Sequence, residues 1–357
     1  MTNTVQAAAP DPRRYFAHIA EKRGPIAEAE PVCLYLETTN RCNLLCTTCP
    51  RTFAALEPPA DMSWGLFTRI VDQFPKIARV VLHGVGEPMM VRALPRMIRY
   101  LKDRGTYVLF NTNGTLLTLR RGRELIEAGL DELRISLDAA EPNAFVQVRG
   151  RPLFQRILRN IRAFRAMQLE LETGTPRVSL WLTGLKETVL QLNDFVALAY
   201  DCGIAEVYLQ RLVYFPEGQG LARAESALFA IEDSEESREE RRLVAEAEAL
   251  AQRLGIRFNA SGATDPATSI TQQSEPRPWS LCRRPWSLMY FTAHGRVLPC
   301  CVAPFSMRGY DGFTLGDATQ QTLREIWNGE KYQAFLHALL SDHPSPSCAG
   351  CGLRWSL

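Results

Sequence analysis

The stretch that decides the fold is Cys42–Cys49, CNLLCTTC, directly after an apolar run from Val32 to Leu36. Its three cysteines stand at spacings of x3 and x2. A zinc site is closed by four ligands, usually two CxxC-like pairs. Here a trio follows a strand-like segment, the place where loops of βα barrels carry active sites. His83, at the end of a second strand-like segment, is a candidate fourth ligand, although a lone histidine there is ordinarily packed or hydrogen-bonded. An iron–sulfur cube held by three thiolates keeps one iron without a protein ligand, and such an iron can bind and activate a small molecule.

The rest of the chain limits the choices. With 357 residues, it has room for one large domain and a smaller one, or a long barrel with an appendage. An apolar fraction of 46% with interspersed charge suits a globular enzyme. The 41 basic residues balance 39 acidic ones, so there is no electrostatic footprint for nucleic acid. No apolar run approaches the length of a membrane span. The first residues, MTNTVQAAAPDPRRYF, lack the basic start and apolar core of a secretory signal. A cytoplasmic, reducing home is expected, where ten cysteines imply metal or redox work more than disulfides.

Strand-like segments fall at 32–37, 79–84, 106–111, 132–138, 177–184 and 206–212. Amphipathic helical patterns lie between them near 64–75, 93–104, 118–129, 152–168 and 188–201. This alternation predicts βα units and a parallel sheet, with six units fitting a partial (β/α)6 barrel of TIM type. Residues 232–254 read as a charged, solvated helix capped by Gly255. The composition turns to Ser, Thr, Gln, Pro and Gly over about 262–280, a linker signal. The expected organisation is an arm over 1–30, a barrel over 31–260, and a linker with a small metal-organised domain over 261–357 that lacks a core of its own.

Cys42-x3-Cys46-x2-Cys49 resembles the signature of the radical S-adenosylmethionine (SAM) superfamily, in which the open iron chelates the amino and carboxylate groups of SAM. Other segments match in the family's order across roughly 32–215. Gly84-Val85-Gly86-Glu87-Pro88 resembles the glycine-rich motif that holds the methionine amino group. Asn113, within NTNGTLL, Ser136 and Asp138, within ISLDAA, and Arg149 before Gly150 resemble later cofactor contacts. Chemistry agrees with the resemblance: Glu87 would accept from the SAM ammonium, Arg149 would pair with its carboxylate, and glycines allow close backbone approach. A surface salt bridge is the plainer reading of Arg149. A dinucleotide fingerprint is excluded for GVGEP, because Met89 occupies the third glycine position. Two departures, Thr48 before the last cysteine and Val85 between the glycines, leave the adenine pocket open.

Farther on, Cys282, Gly295 and Cys300, then Cys348-x2-Cys351, resemble the Twitch domain, the shortened form of the auxiliary-cluster domain called SPASM. The chain ends six residues after Cys351, so one auxiliary cluster is expected on Cys282, Cys300, Cys348 and Cys351. A structural zinc ribbon is the alternative for four thiolates. Cys301 can replace Cys300 as ligand or act as a catalytic thiol that returns a hydrogen atom to a product radical. Cys33 and Cys202 read as small apolar residues.

The resemblance implies two [4Fe–4S] clusters, SAM as cofactor, and flavodoxin or ferredoxin as electron donor. It implies hydrogen abstraction by a 5′-deoxyadenosyl radical, ending in dehydrogenation, epimerisation or decarboxylation. Only about 30 residues precede the first strand, too few for the peptide-recognition domain common in peptide maturases. A small polar substrate (a sugar, aminocyclitol or nucleoside) is therefore favoured over a peptide. Peptide maturation and a non-enzymatic metal scaffold stand as alternatives. Substrate contacts are expected from Tyr208, Gln210 and Arg211 at the end of the sixth strand, where alternation sets Arg211 opposite the other two. The loop FPEGQG (215–220) is a candidate cap for the mouth, and Arg283, Arg284 and Trp286 lie near the auxiliary cysteines.

Overall fold

The computed structural model describes residues 23–74, 77–214, 218–228, 234–261, 266, 277–306, 310–349 and 351. Most of the expected arm, residues 215–217 of the candidate cap, most of the linker and the last six residues lie outside the described residues.

All six expected strands form. They are β1 (Cys33–Leu36), β2 (Arg79–Val81), β3 (Tyr107–Thr112), β4 (Glu132–Ser136), β5 (Arg177–Gly184) and β6 (Glu206–Arg211). They pair in chain order, all parallel, as strands joined by helical crossovers can. Cys33 lies opposite Arg79, and Leu109 opposite Glu132. The central strands are apolar runs because helices cover one face and the barrel interior the other. Leu34, Leu36, Val80, Phe110, Ile135 and Leu180 are fully buried, each worth ~1.5–3 kcal/mol relative to exposure. Helices α1 (Trp64–Val71), α2 (Leu94–Lys102), α3 (Leu119–Ala128), α4 (Pro142–Arg149), α5 (Phe154–Glu170) and α6 (Leu192–Asp201) fill the connections. Ser63 and Thr118 cap α1 and α3 by accepting from Leu66 N and Arg121 N.

Two features extend the six-unit expectation. The charged helix, α7 (Glu235–Arg253), is not simply solvated. Glu240, Val244, Ala247 and Ala251 form a buried stripe, and α7 is the crossover to a seventh parallel strand, β7 (Arg257–Ala260). The stripe is mostly Val and Ala on an otherwise charged helix, so its apolar period is faint in the sequence.

The second feature is at the opposite edge. β8 (Leu288–Phe291) pairs parallel with β1, Cys33 facing Leu288 and Leu36 facing Phe291. β9 (Arg296–Leu298) and β10 (Gly316–Asp317) add antiparallel strands beyond it, giving one ten-stranded sheet. The C-terminal region therefore shares the barrel's core: Trp286, Met289, Phe291 and Val297 pack with Leu34 and Leu36. Tyr332, on α8 (Glu330–Leu340), is fully buried and donates to Pro285 O at 2.7 Å.

Candidate active site

The Cys42–Cys49 loop leaves the end of β1 and is clamped from three sides. From the segment after β2, Glu87 N donates to Arg41 O at 2.8 Å. A Cβ on Gly86 would stand 2.1 Å from Thr39 O, so only glycine fits there. From the end of α4, Thr47 N donates to Val148 O at 2.8 Å. Gly150 has φ +70°, and a Cβ there would meet Leu45 O at 2.5 Å. From the segment after β6, Leu221 N donates to Thr47 O at 2.8 Å. Gly86, read from the sequence as a cofactor contact, and Gly150 thus serve first to let two of these segments close on the cysteine loop.

Side-chain hydrogen bonds complete the frame. Asn113 donates to Asn43 Oδ1 at 2.9 Å and approaches Cys42 Sγ at 3.9 Å. Asn43 donates to Thr115 Oγ1 at 2.8 Å. Glu87 is buried, and its carboxylate accepts from Thr112 Oγ1 at 2.7 Å, Asn113 N at 2.7 Å and Met89 N at 3.0 Å. Burial pushes its pKa up, and those three donors oppose the shift. Three of about four lone-pair sites are engaged, so the side chain expected to meet an ammonium first orders the loop that carries it.

A cavity of about 260 Å³ opens at the C-terminal ends of the strands. Cys42, Cys46 and Cys49 line it together with Gly84, Gly86, Glu87 and Asn113. Ser136, Asp138 and Arg149 face the same space, as do Gln210, Arg211 and Cys301. Gln210 and Arg211 both reach the cavity, because regular strand alternation ends at the last residue of β6. Two expected residues do not line it. Pro88 is buried and opens a short helical turn. Tyr208 stacks on Trp181, with ring centroids 3.9 Å apart and planes 13° apart, and it is Trp181 that faces the cavity.

Arg149 is not a surface ion pair. It is buried against Asp138, Nη2 to Oδ2 2.7 Å, and Nη1 approaches Cys46 Sγ at 3.6 Å. Burial lowers the pKa of this guanidinium, but Asp138 and then Cys46 hold it above its ordinary value. Asp138 itself has φ +63° and accepts from Thr183 N at 2.7 Å, which ties β4 to β5 at the cavity mouth.

Comparison with known proteins decides what this arrangement belongs to. Residues 36–196 match the model of the radical SAM superfamily, and residues 282–352 match SPASM, an iron–sulfur cluster-binding domain. The chain belongs to the radical SAM superfamily. It is 25% identical over 332 residues to a tungsten-containing aldehyde ferredoxin oxidoreductase cofactor-modifying protein of Pyrococcus furiosus, covering 90% of this chain and 87% of that protein. It is 26% identical over 301 residues to the PqqA peptide cyclase of Gluconobacter oxydans, covering 84% and 76%. The fold matches Streptococcus suis SuiB bound to S-adenosylmethionine with a TM-score of 0.63 at 18% identity, covering 85% and 67%. A radical SAM chain of the SPASM group uses a SAM-binding [4Fe–4S] cluster and auxiliary iron–sulfur chemistry.

The residues present fit those groups. Cys42, Cys46 and Cys49 line one cavity together, where three thiolates could each hold one iron of a cube. Arg149 Nε is buried without a hydrogen-bond partner, a polar atom left for a ligand in the cavity. Burial pushes the Cys49 thiol up to about 12 and the Cys42 thiol up as well. Such thiols become thiolates when a metal supplies the compensating charge.

A second, smaller cavity of about 30 Å³ lies in the C-terminal region. Cys282, Cys300, Cys348 and Cys351 line it, with Arg284 beside them. Burial pushes Cys348 up to about 12 and raises Cys282 and Cys300. Cys300 and Cys301 thus face different cavities, and Val302 borders both. Trp286 is buried and donates to Gly24 O at 2.8 Å, so of the nearby residues singled out it is a packing residue.

Sequence reasoning missed three functional candidates. Trp181 and Arg134 line the first cavity, and Glu37 supports it. Arg134 had a signal: in ELRISLD it shares the strand face of Ser136 and Asp138 at steps of two. Glu37 follows β1 and is fully buried. Its Oε2 accepts from Val85 N at 2.9 Å and Tyr290 Oη at 2.8 Å, and its Oε1 accepts from Ala293 N at 3.1 Å. One carboxylate therefore joins the GVGEP loop to the C-terminal hairpin.

Proposed function

We propose that this chain reductively cleaves SAM and takes a hydrogen atom from a small polar substrate held in the same cavity. The observation that supports this most is the shared cavity itself, lined by the cysteine trio, Arg149 and Cys301. When bound, the cluster and SAM supply one electron and a 5′-deoxyadenosyl radical, which removes an unactivated hydrogen. Cys42, Cys46 and Cys49 would hold the cluster. Arg149 would hold the SAM carboxylate, and the Gly84–Pro88 segment, ordered by Glu87, would back the methionine end. Asn113, Ser136 and Asp138 would line the nucleoside side. The walls of the cavity exclude water from the reacting centre.

Residues 31–260 would form the catalytic barrel, and the remainder, from 261 to the C-terminus, an electron-relay end. There Cys282, Cys300, Cys348 and Cys351 would hold one auxiliary cluster. Cys301, on the other side of Val302, would be free to donate a hydrogen atom to a substrate radical, which yields epimerisation or completes decarboxylation. Loss of an electron to the auxiliary cluster yields dehydrogenation instead. Gln210 and Arg211 would contact substrate at the mouth. A flavodoxin or ferredoxin would deliver electrons. No described helix is long and apolar enough to cross a membrane. All ten cysteines are free of disulfides, in keeping with a cytoplasmic home.

A second reading, peptide maturation, is favoured by the likeness to a PqqA peptide cyclase over most of both chains. Anaerobic reconstitution tests the shared core of both. The expected result is about eight irons per chain, from two cubes of four, and dithionite-dependent release of 5′-deoxyadenosine that Cys46→Ala abolishes. Zinc in place of iron, with no cleavage, would leave the metal-scaffold alternative.

A further inference from the structure

The inner end of the first cavity holds a cation with unused donors. Arg134 sits on β4 two residues before Ser136, so its side chain lies about 7 Å farther along the strand from the mouth. Its Nε donates to Glu132 Oε1 at 2.6 Å. The other oxygen of Glu132 is taken by Arg177 Nη2 at 2.9 Å and Tyr107 Oη at 3.0 Å. Arg134 Nη1 and Nη2 therefore have no acceptor among the described residues, although the side chain is only 13% exposed and borders the cavity. The ring of Trp181 steadies the guanidinium, with Cζ 4.6 Å from its centroid. Burial works against the charge on Arg134, and Glu132 more than restores it.

A second polar atom waits in the same wall. His83 borders the cavity, and its Nδ1 is buried without a hydrogen-bond partner. Burial, then the charge on Arg134, lowers its pKa to about 4, so it is neutral near pH 7. A fixed guanidinium fork, a neutral imidazole and an indole face match a planar monoanion carried on an organic body. A phosphate dianion would call for more positive charge than one guanidinium already sharing Glu132.

We propose that the inner end of this cavity is a carboxylate-binding subsite, in which Arg134 Nη1 and Nη2 take the acid group of a small substrate and direct the rest of it toward the cysteine trio. This rests on the reading above that substrate shares the cavity, and it narrows the substrate class from polar to carboxylic. Arg134 is a positioning residue here, since the reaction takes place nearer the mouth.

The test is a binding measurement that needs no reductant and no turnover. Full-length protein, anaerobically reconstituted with SAM present, is titrated with 3-phenylpropionate and with 3-phenylpropanamide by ligand-observed NMR. The two probes have the same ring and length, and only one carries a carboxylate. The acid is expected to bind about 10- to 100-fold tighter than the amide, the range of a charge-assisted bidentate pair. Arg134→Gln, with iron content and circular dichroism matching the parent, is expected to bring the ratio to near one. Arg211→Gln at the mouth is expected to leave it. Equal affinity of the two probes for the parent, or binding of neither, overturns the proposal even if Arg134→Gln fails to fold. A preference that survives Arg134→Gln, or that vanishes in Arg211→Gln, also overturns it. Phenethyl phosphate and N-acetylglutamate N-methylamide are added as arms. Tighter binding of the phosphate overturns the carboxylate assignment, and tighter binding of the peptide-like acid overturns the small-molecule assignment. Failure to release 5′-deoxyadenosine would strike the reading of the trio and leave this ratio unchanged.

Discussion

Replacing Glu37 by Gln should change how stability depends on pH, and the size of the effect follows from burial. Glu37 is fully buried, and desolvation raises its pKa from 4.5 to about 7 against the pull of Val85 N, Tyr290 Oη and Ala293 N. A carboxyl group whose pKa is higher in the folded state stabilises the fold while protonated. That contribution is complete below about 4.5 and is lost as pH rises through about 7. A shift of this size corresponds to about 3 kcal/mol across the window. Gln cannot ionise, so Glu37→Gln removes the pH-dependent term. Its amide must also place an NH2 near a backbone donor, costing about 1–3 kcal/mol at every pH. Urea denaturation from pH 5 to 8, taken as the difference between the two proteins, cancels the other titrating groups. The variant is expected to start less stable and to gain on the parent by about 2–3 kcal/mol as pH rises. Parallel curves, or a variant that loses ground with rising pH, would refute the idea that an ionising carboxyl is buried between the GVGEP loop and the C-terminal hairpin.

Other predictions follow from the same contacts. Gly86→Ala would press a methyl group into Thr39 O, so one of the two loops must move, at a cost of about 1–3 kcal/mol or more; SAM affinity by equilibrium dialysis should fall while the auxiliary iron is retained. Asp138→Ala leaves the buried Arg149 guanidinium uncompensated and should lower stability by about 3–5 kcal/mol, seen as an earlier urea midpoint, with Asp138→Asn milder. Cys300→Ser should remove about four irons, one cube, whereas Cys301→Ser should keep the full complement and lose hydrogen return to substrate, seen as missing deuterium incorporation from solvent. Equal iron loss in both variants would mean the two cysteines do not divide between the cavities.

Much of the site was legible because its chemistry needs rare residue types at fixed spacing. The trio, Gly86, Glu87, Asn113, Asp138 and Arg149 stand out in the sequence, and the fold brings all of them to one cavity. The six parallel strands were legible from apolar runs bounded by helical periods. What stayed hidden depends on pairing between distant segments. Nothing local in LMYF says that β8 will lie beside β1, so the C-terminal region looked like a separate unit. β7 was hidden because α7 buries a faint stripe beneath a charged surface. Glu37 looked like the polar end of a strand, because two of its three donors, Tyr290 and Ala293, arrive from more than 250 residues away. Arg134 shares a strand face with Ser136 and Asp138 in the sequence, but that Glu132 is already taken by Arg177 and Tyr107 depends on pairing between strands.

The central claim is that the Cys42, Cys46 and Cys49 trio is incomplete because SAM provides the remaining ligand. The most direct test is electron–nuclear double resonance on the dithionite-reduced, reconstituted protein with SAM carrying ¹⁵N at its amino group. The account predicts a strong ¹⁵N hyperfine coupling to a [4Fe–4S]⁺ signal that is absent from Cys46→Ala and present in Cys348→Ala. No coupling in the parent, or a coupling that follows Cys348 instead of Cys46, would contradict it.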